Sequence, residues 1–178
     1  MKQFVKSALV AAVVTVSVIS LSSFISPKKA TVPATTDAYL ITLESNVAVG
    51  SNFEWTWKLT NPNPGNGNNG TLQNVSHWSV PLAPIAEAAL VSSQYSFDGV
   101  NWFNATTVVE RDPSIRQCTT VDVLKFDVGT SGTAPTYYRA TFSTDFVINP
   151  FATSWVKTGG GLQGCNVYYF SGLGASRD

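Results

Sequence analysis

The chain has 178 residues, 44% of them hydrophobic, with eleven Lys and Arg against eleven Asp and Glu. Four of the lysines fall in the first 34 residues, so the remaining 144 carry seven basic and eleven acidic groups, a net charge of −4. That balance leaves no basic stripe to neutralise phosphates and excludes nucleic acid as an expected partner. It still provides enough chain for one domain with a real core.

Residues 1–34 are read as a secretory signal. Lys2 and Lys6 form a basic start, residues 7–25 an apolar run, and Val32-Pro33-Ala34 a small-x-small cleavage pattern before Thr35. The run approaches the ~18–20 residues that a spanning helix needs, so an uncleaved anchor is the alternative. Thr15, Ser17, Ser20, Ser22 and Ser23 interrupt it, and Lys28 and Lys29 blunt the charge asymmetry that would orient a spanning helix. Export sets the expected place as secreted or cell surface, with membrane contact only through this segment if it stays.

Period two governs the rest. A short strand is expected at 39–44 and a turn at 46–52. In 52–60, Phe53, Trp55, Trp57 and Leu59 share one face while Glu54, Thr56 and Lys58 share the other, as in a half-buried strand. Residues 61–70, NPNPGNGNNG, are all turn formers and read as a surface loop. A strand through Val75-Ser76-His77-Trp78-Ser79-Val80 follows, then at most two helical turns within 81–90. Asp98-Gly99 is expected as a two-residue turn joining strands 94–97 and 100–103. Further strands are expected at 106–110, 121–126, 137–142, 146–149, 154–157 and 166–170. Asp112-Pro113, the 129–135 loop, Asn149-Pro150 and the 159–161 glycine run punctuate them. Eight to ten short strands with almost no helix predict an all-β fold, an antiparallel β-sandwich occupying 35–178 as one domain.

Cys118 and Cys165 are the two cysteines, and in an oxidising compartment the expectation is one disulfide between them. It would close a loop of about 48 residues, worth up to about 4 kcal/mol on chain-entropy grounds.

The segments Val75-Ser76-His77-Trp78, Asp112-Pro113 with Leu124-Lys125-Phe126-Asp127-Val128-Gly129, and a late strand from Ser154 to Gly159 before Gly164-Cys165 resemble a group of secreted bacterial modules. These modules share SHW/SHF and DP…(I/L)KFD segments. The resemblance implies an exported, β-rich surface domain for binding or structure, and it carries over no catalytic residue.

Among the residues themselves, His77 is the single histidine. A serine hydrolase would orient it with a carboxylate beside a nucleophile. Ser76 is adjacent and points to the opposite face, Ser79 is also read as facing away, and no G-x-S-x-G elbow exists. The expectation is a strand histidine bonded to a backbone group or a carboxylate, with a ligand-binding or pH-sensitive role as the alternative. One histidine and two paired cysteines furnish no zinc site. Asp112, Asp122 and Asp127 would have to converge to hold calcium, so neither a metal nor another cofactor is expected. No carboxylate pair stands in a pattern that marks a glycosidase. Trp102, beside the hairpin tip, either closes a small satellite core or stands exposed to stack on a sugar. The sequence therefore predicts a non-catalytic structural, adhesion or binding protein, with a surface glycan or another extracellular protein as partner. Trp102 and His77 are the candidate ligand-binding residues. A carbohydrate-binding module is the first alternative and a secreted glycoside hydrolase-like enzyme the second.

Overall fold

The computed structural model describes residues 39–105, 108–159 and 167–177. The expected signal segment 1–34, residues 106 and 107, and the 160–166 stretch with Cys165 lie outside the described residues.

Two five-stranded antiparallel sheets pack face to face, which makes the fold an all-β sandwich. Sheet one contains β1 (Leu40–Val49), β2 (Asn52–Thr60), β8 (Thr136–Phe142), β4 (Leu90–Ser96) and β5 (Phe103–Asn104), in that order. Sheet two runs β10 (Val167–Ser176), β9 (Phe146–Thr158), β3 (Val75–Pro81), β7 (Val123–Phe126) and β6 (Val108–Glu110). A short helix, α1 (Pro84–Ala89), carries the chain from one sheet to the other and buries Ala86 and Ala89. Pro84 opens it, where a missing N–H costs nothing.

The alternation in β2 does what its pattern requires. Trp55, Trp57 and Leu59 are fully buried, and Trp55 and Trp57 lie opposite Ala140 and Tyr138 of β8. Trp78 of β3 completes the core from the other sheet, 5.8 Å from Trp57 and 5.1 Å from Tyr138 between ring centroids. Phe126, Phe142, Phe146 and Phe170 fill the remaining space without residual exposure. An aromatic ring of this kind buries roughly 150–250 Å², so truncating one costs about 3–5 kcal/mol.

Three expectations are corrected. First, the turn expected at 46–52 is shorter. β1 continues to Val49, which pairs with Asn52 across a two-residue turn at Gly50, whose φ is +61°. A bulge at Glu44 re-phases the strand so that Ser45 and Asn46 pair with Thr56 and Trp55. Second, Asn149-Pro150 does not end a strand. β9 continues past it without a break, and Pro150 and Phe151 together oppose Ser171 of β10 in a bulge. Proline donates no hydrogen bond, and a bulge is where a strand tolerates it. Third, Asp98-Gly99 is not a two-residue turn. β4 and β5 pair through Tyr95–Phe103 and Gln94–Asn104, leaving a six-residue loop, 97–102. Asp98 accepts hydrogen bonds from the Val100 and Asn101 amides at 2.8 Å each and from the Asn101 side chain at 2.7 Å. This local capture competes successfully with ladder pairing.

Candidate functional site

β3 carries a bulge at Ser76, after which His77 and Ser79 face outward and Trp78 and Val80 inward. The reading that placed Ser79 opposite His77 is therefore corrected. Residues two apart on a strand share a face, and here both reach Asp112. The segment between β6 and β7, residues 111–122, folds back over this outer face of sheet two. It turns through hydrogen bonds from Ile115 N to Asp112 O and from Cys118 N to Ile115 O. Ile115 packs with Val123, Trp155 and Cys118 to form a small apolar cluster beneath the roof.

Asp112, only 2% exposed, is the hub. Its Oδ1 accepts the Ser114 amide at 2.9 Å and the Ser114 hydroxyl at 2.8 Å. Its Oδ2 lies 3.0 Å from His77 Nε2 and accepts the Ser79 hydroxyl at 3.4 Å. Lys125 Nζ is 3.7 Å from Asp112 and 3.1 Å from Asp127. Two of the three aspartates considered for calcium thus converge on an ammonium group, which supplies the positive charge itself. Among the described residues, no group of three or more His, Cys, Asp or Glu is placed to hold a metal.

Burial pushes the His77 pKa below its ordinary value. Asp112 pulls it up, while Lys125 and Lys157 add to the depression. Burial also acts on Asp112, pushing it up, but the Ser114 hydrogen bonds, His77 and Lys125 prevail and hold its pKa below the usual carboxylate range. At neutral pH the pair is therefore a neutral imidazole donating to a carboxylate.

This cluster contains Ser, His and Asp, but its wiring is not that of a hydrolase. A triad places the nucleophile on one ring nitrogen and the carboxylate on the other. Here Ser114 Oγ and Asp112 Oδ2 both lie 3.0 Å from the same Nε2. Ser114 also directs its proton to Asp112 Oδ1 and has none to give the ring. The arrangement can pin the 111–122 roof to the sheet, and it presents no activated hydroxyl.

Trp102 lies on the outer face of the other sheet. The 97–102 loop folds over β8, bringing the Arg139 guanidinium to 3.7 Å from the Trp102 ring centroid. Arg139 in turn meets Glu54 at 3.2 Å. Gly99, at φ +76°, rests on the Tyr137 ring, and Ser96 is fully buried beneath the loop. Trp102 is half-buried, and Gln94, Asn104 and Thr56 stand on the same face. Glu54 and Glu44 each face a cation, Arg139 and Lys58. His77 and Trp102, the two sequence-derived candidates, therefore occupy opposite faces of the sandwich and form no common site.

The sequence reading missed Asp112, Ser114 and Lys125 as His77's surroundings. Asp112 was visible as turn punctuation, as part of the DP segment and as a calcium candidate, and nothing local in the sequence links it to β3. No protein-family model, curated protein or solved structure matches this chain.

Proposed function

We propose that this chain is an exported, non-catalytic β-sandwich domain serving in surface structure, adhesion or binding. The observation that carries this reading is that the chemically competent side chains around His77 are consumed by one another. His77, Asp112, Ser79, Ser114 and Lys125 satisfy each other beneath the 111–122 roof. The likeness of residues 75–78 and 112–129 to exported surface modules supports the same reading. The Cys118–Cys165 disulfide belongs to the proposal too. It would tie the roof to the connection between β9 and β10, where oxidising conditions favour such a staple.

A second reading, carbohydrate binding, is favoured by Trp102. Its ring is pre-oriented by Arg139 on the outer face of sheet one, so stacking on a sugar would cost little side-chain entropy. Retention of the exported protein on insoluble polysaccharides, wild type against Trp102→Ala, tests it. Reduced retention of the variant supports a glycan partner on this face, and equal retention removes Trp102 from the site. Hydrolysis of chromogenic esters or glycosides that is lost in His77→Ala would overturn the non-catalytic reading.

A further inference from the structure

β3 and β9 pair from Val75–Thr158 to Ser79–Trp155 and then part. Val80 and Pro81 continue beside β7, while β9 bends at its Pro150-Phe151 bulge to stay with β10. The divergence opens a half-enclosed cleft of about 200 Å³ at the end of sheet two. Pro81, Asn149, Phe151, Thr153 and Leu173 line it, backed by the core residues Val80 and Phe170.

We infer that this cleft is a binding site for one neutral sugar unit of a glycan, with Phe151 as its stacking platform. The inference rests on the carbohydrate reading above but moves the site away from Trp102. Three observations converge on that ligand class. None of the described side chains lining the cleft is ionisable, so a charged ligand would find no counter-charge there. Phe151 is 73% exposed at the rim, an aromatic face that the fold leaves unburied. Polar groups stand beside it. Asn149 Oδ1 accepts the Phe151 amide at 3.0 Å, which shapes the bulge and leaves the Asn149 side-chain NH2 to donate; Thr153 adds a hydroxyl. A concave site combining an aromatic surface with a few fixed polar groups is the usual form of a small-ligand pocket, and this one is smaller than the roughly 300–1,000 Å³ of drug-sized sites.

Amide NMR spectra of the exported protein, titrated into the millimolar range with methyl glycosides of glucose, galactose and N-acetylglucosamine, test the inference. Glucuronate serves as the charged comparison. At least one neutral glycoside is expected to shift the Asn149, Phe151, Thr153 and Leu173 amides. Phe151→Ala is expected to weaken that binding up to about tenfold, the scale of one aromatic contact. Phe151 is exposed enough to be replaced without loss of fold. Thr153→Val, nearly isosteric, is expected to weaken binding too, and Trp102→Ala to leave it unchanged. No shift with any neutral glycoside, or equal shifts with glucuronate, would overturn the inference. Shifts that map to Trp102 and Arg139 and vanish in Trp102→Ala would overturn the cleft while sustaining carbohydrate binding on the other face.

Discussion

Replacing Asp112 with Ala removes the acceptor for four donors at once: the Ser114 amide, the Ser114 and Ser79 hydroxyls and His77 Nε2–H. It also leaves Lys125, 15% exposed, without one of its two carboxylates. An orphaned buried donor costs about 1–3 kcal/mol, and removing one partner of a buried charged pair costs about 3–5 kcal/mol. These terms are not additive, because the roof can relax and admit water. The expected loss is therefore about 3–5 kcal/mol, a large share of the roughly 5–15 kcal/mol that holds a domain folded. Urea unfolding followed by tryptophan fluorescence reads it directly, since Trp78 and Trp155 lie on β3 and β9 beside the cluster. Asp127→Ala is the control. Asp127 is 55% exposed, and loss of its contact with Lys125 should cost less than about 1 kcal/mol. A loss below about 1 kcal/mol in Asp112→Ala, or equal losses in the two variants, would refute the claim that Asp112 anchors the roof.

The same cluster sets a pH dependence. His77 is the single histidine, and its folded pKa lies below its ordinary 6.5. The unfolded chain therefore takes up that proton first, and stability falls as pH drops from about 6.5 toward the folded value. Asp112, also depressed, extends the loss as pH falls below 3.8. His77→Gln should flatten the curve between about pH 5 and 7 while leaving the acid limb; an unchanged slope in that window would remove His77 from the account. If the proposed export takes place, intact-mass analysis of the protein from an exporting host gives a start near Thr35, and thiol labelling under denaturing conditions finds no free thiol until reductant is added. Two reactive thiols in the unreduced protein would contradict the Cys118–Cys165 staple.

What the sequence made legible follows its local periodicities. The β2 aromatics announced the core because a strand buries alternate residues, and Trp55, Trp57 and Leu59 comply. Tyr168 and Tyr169 divide as neighbours on a strand must: Tyr168 packs against the core and Tyr39, while Tyr169 is 58% exposed. Turn-forming residues misled wherever they lay inside a ladder. Ser45-Asn46 pair within β1 because a bulge absorbs the phase error, and Pro150 sits where no donor is needed. Asp98-Gly99 misled in the opposite way, because the Asp98 carboxylate organises a wider loop than the dipeptide suggests. The site was the least legible part. Asp112 meets His77 only because the 111–122 segment doubles back over sheet two, and no local pattern encodes that crossing. Trp102's contact with Arg139 is equally non-local.

Amide hydrogen exchange at Ser114 and Cys118 tests the central claim most directly, that the His77–Asp112 cluster is a structural pin for the roof. In the wild type these amides, bonded to Asp112 Oδ1 and Ile115 O, should exchange far more slowly than the Asn69 and Gly70 amides at the exposed tip of the 61–70 loop. In Asp112→Ala their protection should collapse while the β2 and β8 amides keep theirs. Wild-type exchange at Ser114 and Cys118 as fast as at that tip, or protection unchanged in the variant, would contradict it.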